Sequence, residues 1–212
     1  MPDRAVVLDL DGTLVDSVHH HVTAWHRALV QHGVDDVSMT RVHAGIGMGG
    51  DRLVPWLLGG HGDPDLASRV SAAHGELFRA VGDDLRPTAG ALALLDDLDH
   101  RGVPHVVATS ASADDRAVLL GALGDPDLAV VDADDVESSK PAPDLLTAAC
   151  DHLGVDPRDA VMVGDSPWDG HAARRVAMPC VLLRCGGFPE PDLREAAPTR
   201  VVDAPRDLVA EL

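Results

Sequence analysis

Apolar positions fall into two textures along the chain. Up to residue 86 they recur at helical spacing behind one short apolar run; from Pro87 onward short apolar runs alternate with helical stretches. The run Ala5–Leu8 ("AVVL") is unbroken, as in a strand buried on both faces. Val18, Val22, Trp25 and Leu29 then mark one face of a helix over 16–31, with Asp16 or Ser17 at its cap. Asp63 followed by Pro64 opens a further helix, a cap with proline in the first turn, and its stripe reads Leu66, Val70, Ala73, Leu77 and Val81. No strand signal lies between residues 16 and 86.

Beyond Pro87, helices over 88–101, 113–124, 141–154 and 167–177 alternate with strands over 103–109, 128–131, 160–165 and 180–183. Strands alternating with helices imply a parallel sheet covered on both faces. The expected fold is therefore α/β: a Rossmann-like parallel-sheet core, residues 1–15 plus 87–212, interrupted by an all-helical insertion at 16–86.

In such sheets ligands bind beyond the carboxyl ends of the strands. Asp9 and Asp11, Thr109 and Ser110, and Asp165 and Ser166 stand at those ends, and Lys140 precedes a helix on the same side. Clustered carboxylates repel unless a cation sits among them. An oxygen-only donor set with few fixed protein groups suits Mg²⁺, which keeps water and substrate oxygens in its shell. A carboxylate beside such an ion can attack phosphorus and form an acyl-phosphate. A neighbour two positions on can protonate the leaving oxygen and later activate water.

Composition narrows the partners. The formal net charge is −18, whereas nucleic-acid binding needs a basic face and anionic membranes repel an acidic protein. Of the 17 basic side chains 16 are Arg, so the single Lys140 stands apart from an Arg-biased background. Three cysteines without a CxxC pair, Cys150, Cys180 and Cys185, read as reduced thiols. No signal peptide and no stretch of about 20 apolar residues is present. A cytoplasmic protein is expected.

The segments "DLDGTLVDS", "VVATS", "SKPAPD" and "VGDSPWDGHAA", in that order, resemble the four motifs of the haloacid dehalogenase-like superfamily, and the helical insertion resembles its C1 cap. The resemblance implies that Asp9 is nucleophile and Mg²⁺ ligand. Asp11 is then the general acid/base, with its backbone carbonyl on the metal. Thr109 and the Ser110 backbone bind the phosphoryl group beside Gly12, and Lys140 holds the nucleophile. Asp165 is the second metal carboxylate, supported by Asp169 and Ser166. The implied activity is hydrolysis of a small phosphorylated metabolite. Because dehalogenating members lack the second acid, Asp11 favours phosphoryl chemistry; because residues 16–86 hold no lysine, phosphonate cleavage through a cap Schiff base is excluded.

Two alternatives accompany this reading. A sugar phosphomutase of the β-phosphoglucomutase type is suggested by "SKPAPDLLTAA" and by His21 and Trp25, but it needs a basic residue in the cap loop, where Gly50 stands with Arg52 two positions on. A non-catalytic phosphate-binding regulatory protein would have no need of both acids and the lysine. Arg52 is nonetheless a candidate for a substrate anion, and His21 for the hinge between core and cap. "GIGMGG" (residues 45–50) matches G-x-G-x-x-G without a preceding strand; the resemblance implies instead a cap loop reaching the active site. The tract His19–His21 cannot share one ion from a single helix, since consecutive side chains point about 100° apart. Trp25 and Trp56 are expected in the cap core.

Overall fold

A computed structural model describes residues 4–60, 63–132 and 140–212. Ser139, the first residue of "SKPAPD", lies outside them. Six parallel strands form one sheet in the order β3-β2-β1-β4-β5-β6, with β1 Ala5–Leu8, β2 His105–Ala108, β3 Val130–Val131, β4 Ala160–Gly164, β5 Cys180–Leu183 and β6 Arg200–Val202. Strand β1 pairs β2 on one side and β4 on the other, Val7 facing both Val106 and Met162. All four residues of β1 are buried, which is why its run has no polar break. The strand order reverses direction at β1, so its carboxyl end opens the crevice where such sheets bind ligands.

Between β1 and Pro87 lie four helices: α1 Val18–Gln31, α2 Met39–Gly45, α3 Gly50–Leu57 and α4 Pro64–Arg79. Two chain crossings join them to the sheet, and these are tied together. Asp16 N–H donates to the Arg86 carbonyl (2.9 Å), Thr88 N–H to the Leu14 carbonyl (2.9 Å) and the Thr88 hydroxyl to the Thr13 carbonyl (2.5 Å). The buried apolar faces of α1 to α4, including Trp25, Val42, Leu53 and Val70, are continuous with one face of the sheet through Val7, Val106 and Met162. The other sheet face packs on α5 Ala91–Arg101 and α6 Ala113–Ala122, through Leu94, Leu98 and Leu119. Helices α7 Asp144–Leu153, α8 Pro167–Arg175 and α9 Glu190–Glu195 complete the covering layers. Among the described residues no helix is long and apolar enough to cross a membrane, and all three cysteines are free.

Three local expectations change. The most buried line of α4 runs through Val70, His74 and Phe78; Leu66, Ala73 and Leu77 of the expected stripe pack half-buried against the core, and Val81 lies beyond the helix end. Spacing of four keeps the first three on one side, and the histidine hides that side from an apolar count. Ser17 occupies the N-cap position of α1 without capping it, because its hydroxyl donates to Asp11 instead (2.7 Å). Finally, β6 and α9 follow the last strand expected from the sequence.

Candidate active site

The turn after β1 builds the floor of the site. Leu10 accepts hydrogen bonds at its carbonyl from the N–H groups of Leu14 and Val15, both 3.0 Å, and Gly12 lies at φ +76°. A Cβ at Gly12 would stand 2.3 Å from Asp165 Oδ2, and one at Gly186 still closer to the same atom. Two glycines thus let backbone press against one carboxylate.

Lys140 joins the strand ends. Its ammonium contacts Asp9 Oδ1 and lies 2.8 Å from Asp169 Oδ1, all three side chains being buried. Asp169 is held in turn by the first turn of α8. Ser166 is the N-cap, accepting from Asp169 N–H (3.4 Å), while Asp169 Oδ2 accepts from the Ser166 N–H (3.1 Å) and hydroxyl (2.7 Å). Burial alone would lower the Lys140 pKa, but Asp169 and Asp9 more than offset it and hold the ammonium above its ordinary range. Burial pushes the Asp9 carboxyl up to about 7 despite Lys140, with Asp169 and Asp11 adding to the rise.

Asp9, Asp165 and Asp169 each offer an oxygen within 4.8 Å of the others. Thr13, absent from the sequence-derived candidates, donates to Asp165 Oδ1 (3.1 Å) and stands 3.5 Å from Asp9 Oδ2. Asp165 Oδ2 is buried with no hydrogen-bond partner among the described residues. Burial and the neighbouring carboxylates of Asp9 and Asp169 push the Asp165 carboxyl well above its usual range. A buried, orphaned carboxylate oxygen among other carboxylates fits a hard divalent cation. Asp169 is already engaged by Lys140 and Ser166, so Asp9 and Asp165 are the better donors. Adding a divalent cation should therefore raise the Tm, and more at about pH 8 than at about pH 5, since protons compete for these carboxylates. The sign follows from Asp9: its folded pKa exceeds the ordinary 3.8, so its ionisation lowers folding stability as pH rises toward 7. Scanning calorimetry showing no cation-induced shift at either pH would contradict this donor set.

Asp11 turns its carboxylate elsewhere. Its Oδ1 accepts from Ser17 (2.7 Å) and pairs with His21 Nε2 (2.8 Å), and His21 Nδ1 meets His74 Nε2 at 2.9 Å. The line continues as stacked rings, Trp25 on His74 at 3.8 Å and Phe78 on His21 at 3.8 Å. Burial would raise the Asp11 pKa, but the His21 charge and the bonds from His21 and Ser17 take it below the usual range. Burial, with His21 and Arg79 nearby, holds His74 well below its ordinary value and so neutral.

Asp9, Asp11, His21, Thr109, Ser110 and Lys140 line one cavity of about 430 Å³ between the sheet edge and α1, α3 and α4. Thr109 Oγ accepts from Ala111 N–H (3.1 Å), leaving its hydroxyl proton to donate, and Ser110 Oγ is buried without a partner among the described residues. The glycine-rich segment reaches this cavity through Ile46, Gly47, Met48 and Gly50. Gly12, Asp165, Ser166 and Asp169 lie outside its lining, packed behind Asp9 and Lys140. Arg52 is not brought to the site: it sits half-exposed on α3, 3.9 Å from Asp51, and lines no part of the cavity. Trp25 is both buried and a cavity wall, whereas Trp56 stays in the cap.

Comparisons with known proteins agree with this geometry. Residues 4–177 match the haloacid dehalogenase-like hydrolase family. A phosphoglycolate phosphatase of Rhodospirillum rubrum is 34% identical over 200 residues, 89% of this chain and 82% of that protein. A validoxylamine A 7'-phosphate phosphatase of Streptomyces hygroscopicus subsp. limoneus is 34% identical over 188 residues, 85% of each chain. The crystal structure of a hydrolase from Pseudomonas syringae superimposes with a TM-score of 0.95 at 33% identity, covering 98% of this chain and 97% of that one.

Proposed function

The chain belongs to the haloacid dehalogenase-like hydrolases, and from that premise we propose that it is a Mg²⁺-dependent phosphatase. It acts on a small phosphorylated metabolite through an aspartyl-phosphate on Asp9. The observation that carries this reading is Asp9 itself. Its carboxylate is fixed by Lys140 at the floor of a partly open cavity, with Asp11 two residues on and lining the same cavity.

Asp9 attacks phosphorus in line, and Lys140 keeps the nucleophile oriented. The Thr109 hydroxyl and Ser110 hold the phosphoryl oxygens. The negative charge of a bound phosphate ester beside Asp11 favours its protonated form; Asp11 then gives that proton to the departing alcohol and regains one from the water that hydrolyses the acyl-phosphate. His21 and Ser17 hold Asp11 in place, and His74 braces His21 from α4. Mg²⁺ held by Asp9 and Asp165, with the Asp11 carbonyl, would neutralise charge on the transferring group. Residues 16–86 act as a cap that closes over the bound ester and excludes water from the first step. Free cysteines and high negative charge suit a cytoplasmic setting.

Hydrolysis is favoured over phosphomutation because a mutase needs a cation facing a second phosphate, and Arg52 stands away from the cavity. Phosphate release should be measured on a panel of phosphate esters, including p-nitrophenyl phosphate and β-glucose 1-phosphate with its bisphosphate activator. Release with Mg²⁺ and none with EDTA is expected. Isomerised sugar phosphate without release would assign the mutase reaction instead.

A further inference from the structure

The alcohol half of the substrate must fit the part of the cavity away from Asp9, and its charge is unusual. All 17 basic side chains of the chain lie within the described residues, because residues 1–3, 61–62 and 133–139 contain no Lys or Arg. Only two of them, Lys140 and Arg79, line the cavity. Lys140 is held between Asp9 and Asp169. Arg79, on α4, pairs with the buried Asp115 of α6 at 2.8 Å. Both ring nitrogens of His21 are taken, by Asp11 and His74. On the same wall Glu76 is an exposed carboxylate with no partner among the described residues.

A second anionic group on the substrate would meet Glu76 and Asp115, and the cation beside them, Arg79, already has its charge paired through Nη1 with Asp115. Like charges at close range in a partly closed site repel by amounts that decide selectivity. Uncharged hydroxyls would meet suitable partners. Ser71 lies on the wall, and Ser112, whose Oγ accepts from Asp115 N–H at 3.3 Å, keeps a hydroxyl proton to donate. Glu76 accepts, while Trp25, Ile46 and Met48 supply apolar surface for carbon.

We propose that the cavity selects phosphomonoesters of uncharged, hydroxylated alcohols and rejects esters whose alcohol carries a second anion, with Glu76 and the Arg79–Asp115 pair setting that preference. The proposal rests on the phosphatase reading above and deepens it. It also separates this chain from a relative named for phosphoglycolate, while agreeing with one named for validoxylamine A 7'-phosphate, two phosphatases equally similar to it at 34% identity.

Two substrate pairs of matched size test it. They are 2-hydroxyethyl phosphate against phosphoglycolate, and glycerol 3-phosphate against 3-phosphoglycerate. With Mg²⁺ at neutral pH, kcat/KM should favour the uncharged member of each pair by about tenfold or more. Glu76→Gln, at an exposed position that folding tolerates, should narrow the ratio several-fold. Asp115→Asn, which releases Arg79, should narrow it further by raising kcat/KM for the carboxylated esters. Equal or faster hydrolysis of the carboxylated members, or ratios unmoved by Glu76→Gln, would overturn the proposal. p-Nitrophenyl phosphate run alongside separates the two claims: if it too releases no phosphate, the phosphatase reading falls, and the selectivity with it.

Discussion

Asp9→Asn should abolish phosphate release, lowering turnover by at least about a thousandfold, and should leave the protein folded. An amide of the same shape cannot form the acyl-phosphate. Loss of fold is not the expected cause, and the sign of the stability change separates the two. The Asp9 carboxyl is pushed up to about 7 in the folded chain, chiefly by burial. Between the ordinary carboxylate range and that value the unfolded chain is ionised while the folded one resists ionisation, so stability falls as pH rises. A neutral amide avoids that loss, though it also weakens the pairing with Lys140. At about pH 8 without metal the variant should melt no more than a few degrees from the parent, and its cation-induced rise in Tm should shrink. Phosphate assays and calorimetry on the same preparation check both halves. A variant that is folded and active would remove Asp9 from the chemistry.

Lys140→Arg should have the second largest effect, a loss of about a hundredfold or more in kcat together with a lower Tm. The Lys140 side chain is almost fully buried, and its compact ammonium bridges Asp9 and Asp169. A planar guanidinium is larger, spreads its charge and presents a fork where one point charge is needed. The folded pKa of Lys140 is raised, so its pairing stabilises the fold throughout the range below its ordinary value and is lost only in strong alkali. The activity loss should therefore persist across neutral pH instead of being recovered at one end. Near-parental kcat in Lys140→Arg would mean that the one lysine of the chain is an accident of composition.

What the sequence revealed and what it hid have a common physical origin. Strands β1, β2, β4 and β5 are buried in the middle of the sheet, so their apolar runs are unbroken and easy to see. Strand β6 is a three-residue edge, partly exposed, and carries no such signal. The short helices α2 and α3 were anticipated only as helical texture, since α3 holds Pro55. At the site, Asp9, Asp11, Thr109, Lys140 and Asp165 stand at strand ends or in a loop beside them, where carboxylates, hydroxyls and a lone lysine contrast with their surroundings. His74 and the Arg79–Asp115 pair depend on contacts 53 and 36 residues apart in the chain, which spacing cannot reveal. Thr13 was within reach, as the hydroxyl next to the turn glycine, but its partner Asp165 is 152 residues away. Arg52 was the opposite case: its charge suggested an anion site, and the fold of α3 leaves it outside the cavity.

The central claim is that one phosphoryl group passes through Asp9 under the control of Asp11. Asp11→Asn keeps the nucleophile and removes the group that activates water. The variant should be mixed with p-nitrophenyl phosphate and Mg²⁺, quenched in acid, digested and read by mass spectrometry. The account predicts slow turnover and a phosphoryl group on the peptide containing Asp9, absent when EDTA is added. Normal steady-state turnover in this variant, or a phosphoryl group on any other residue, would contradict it.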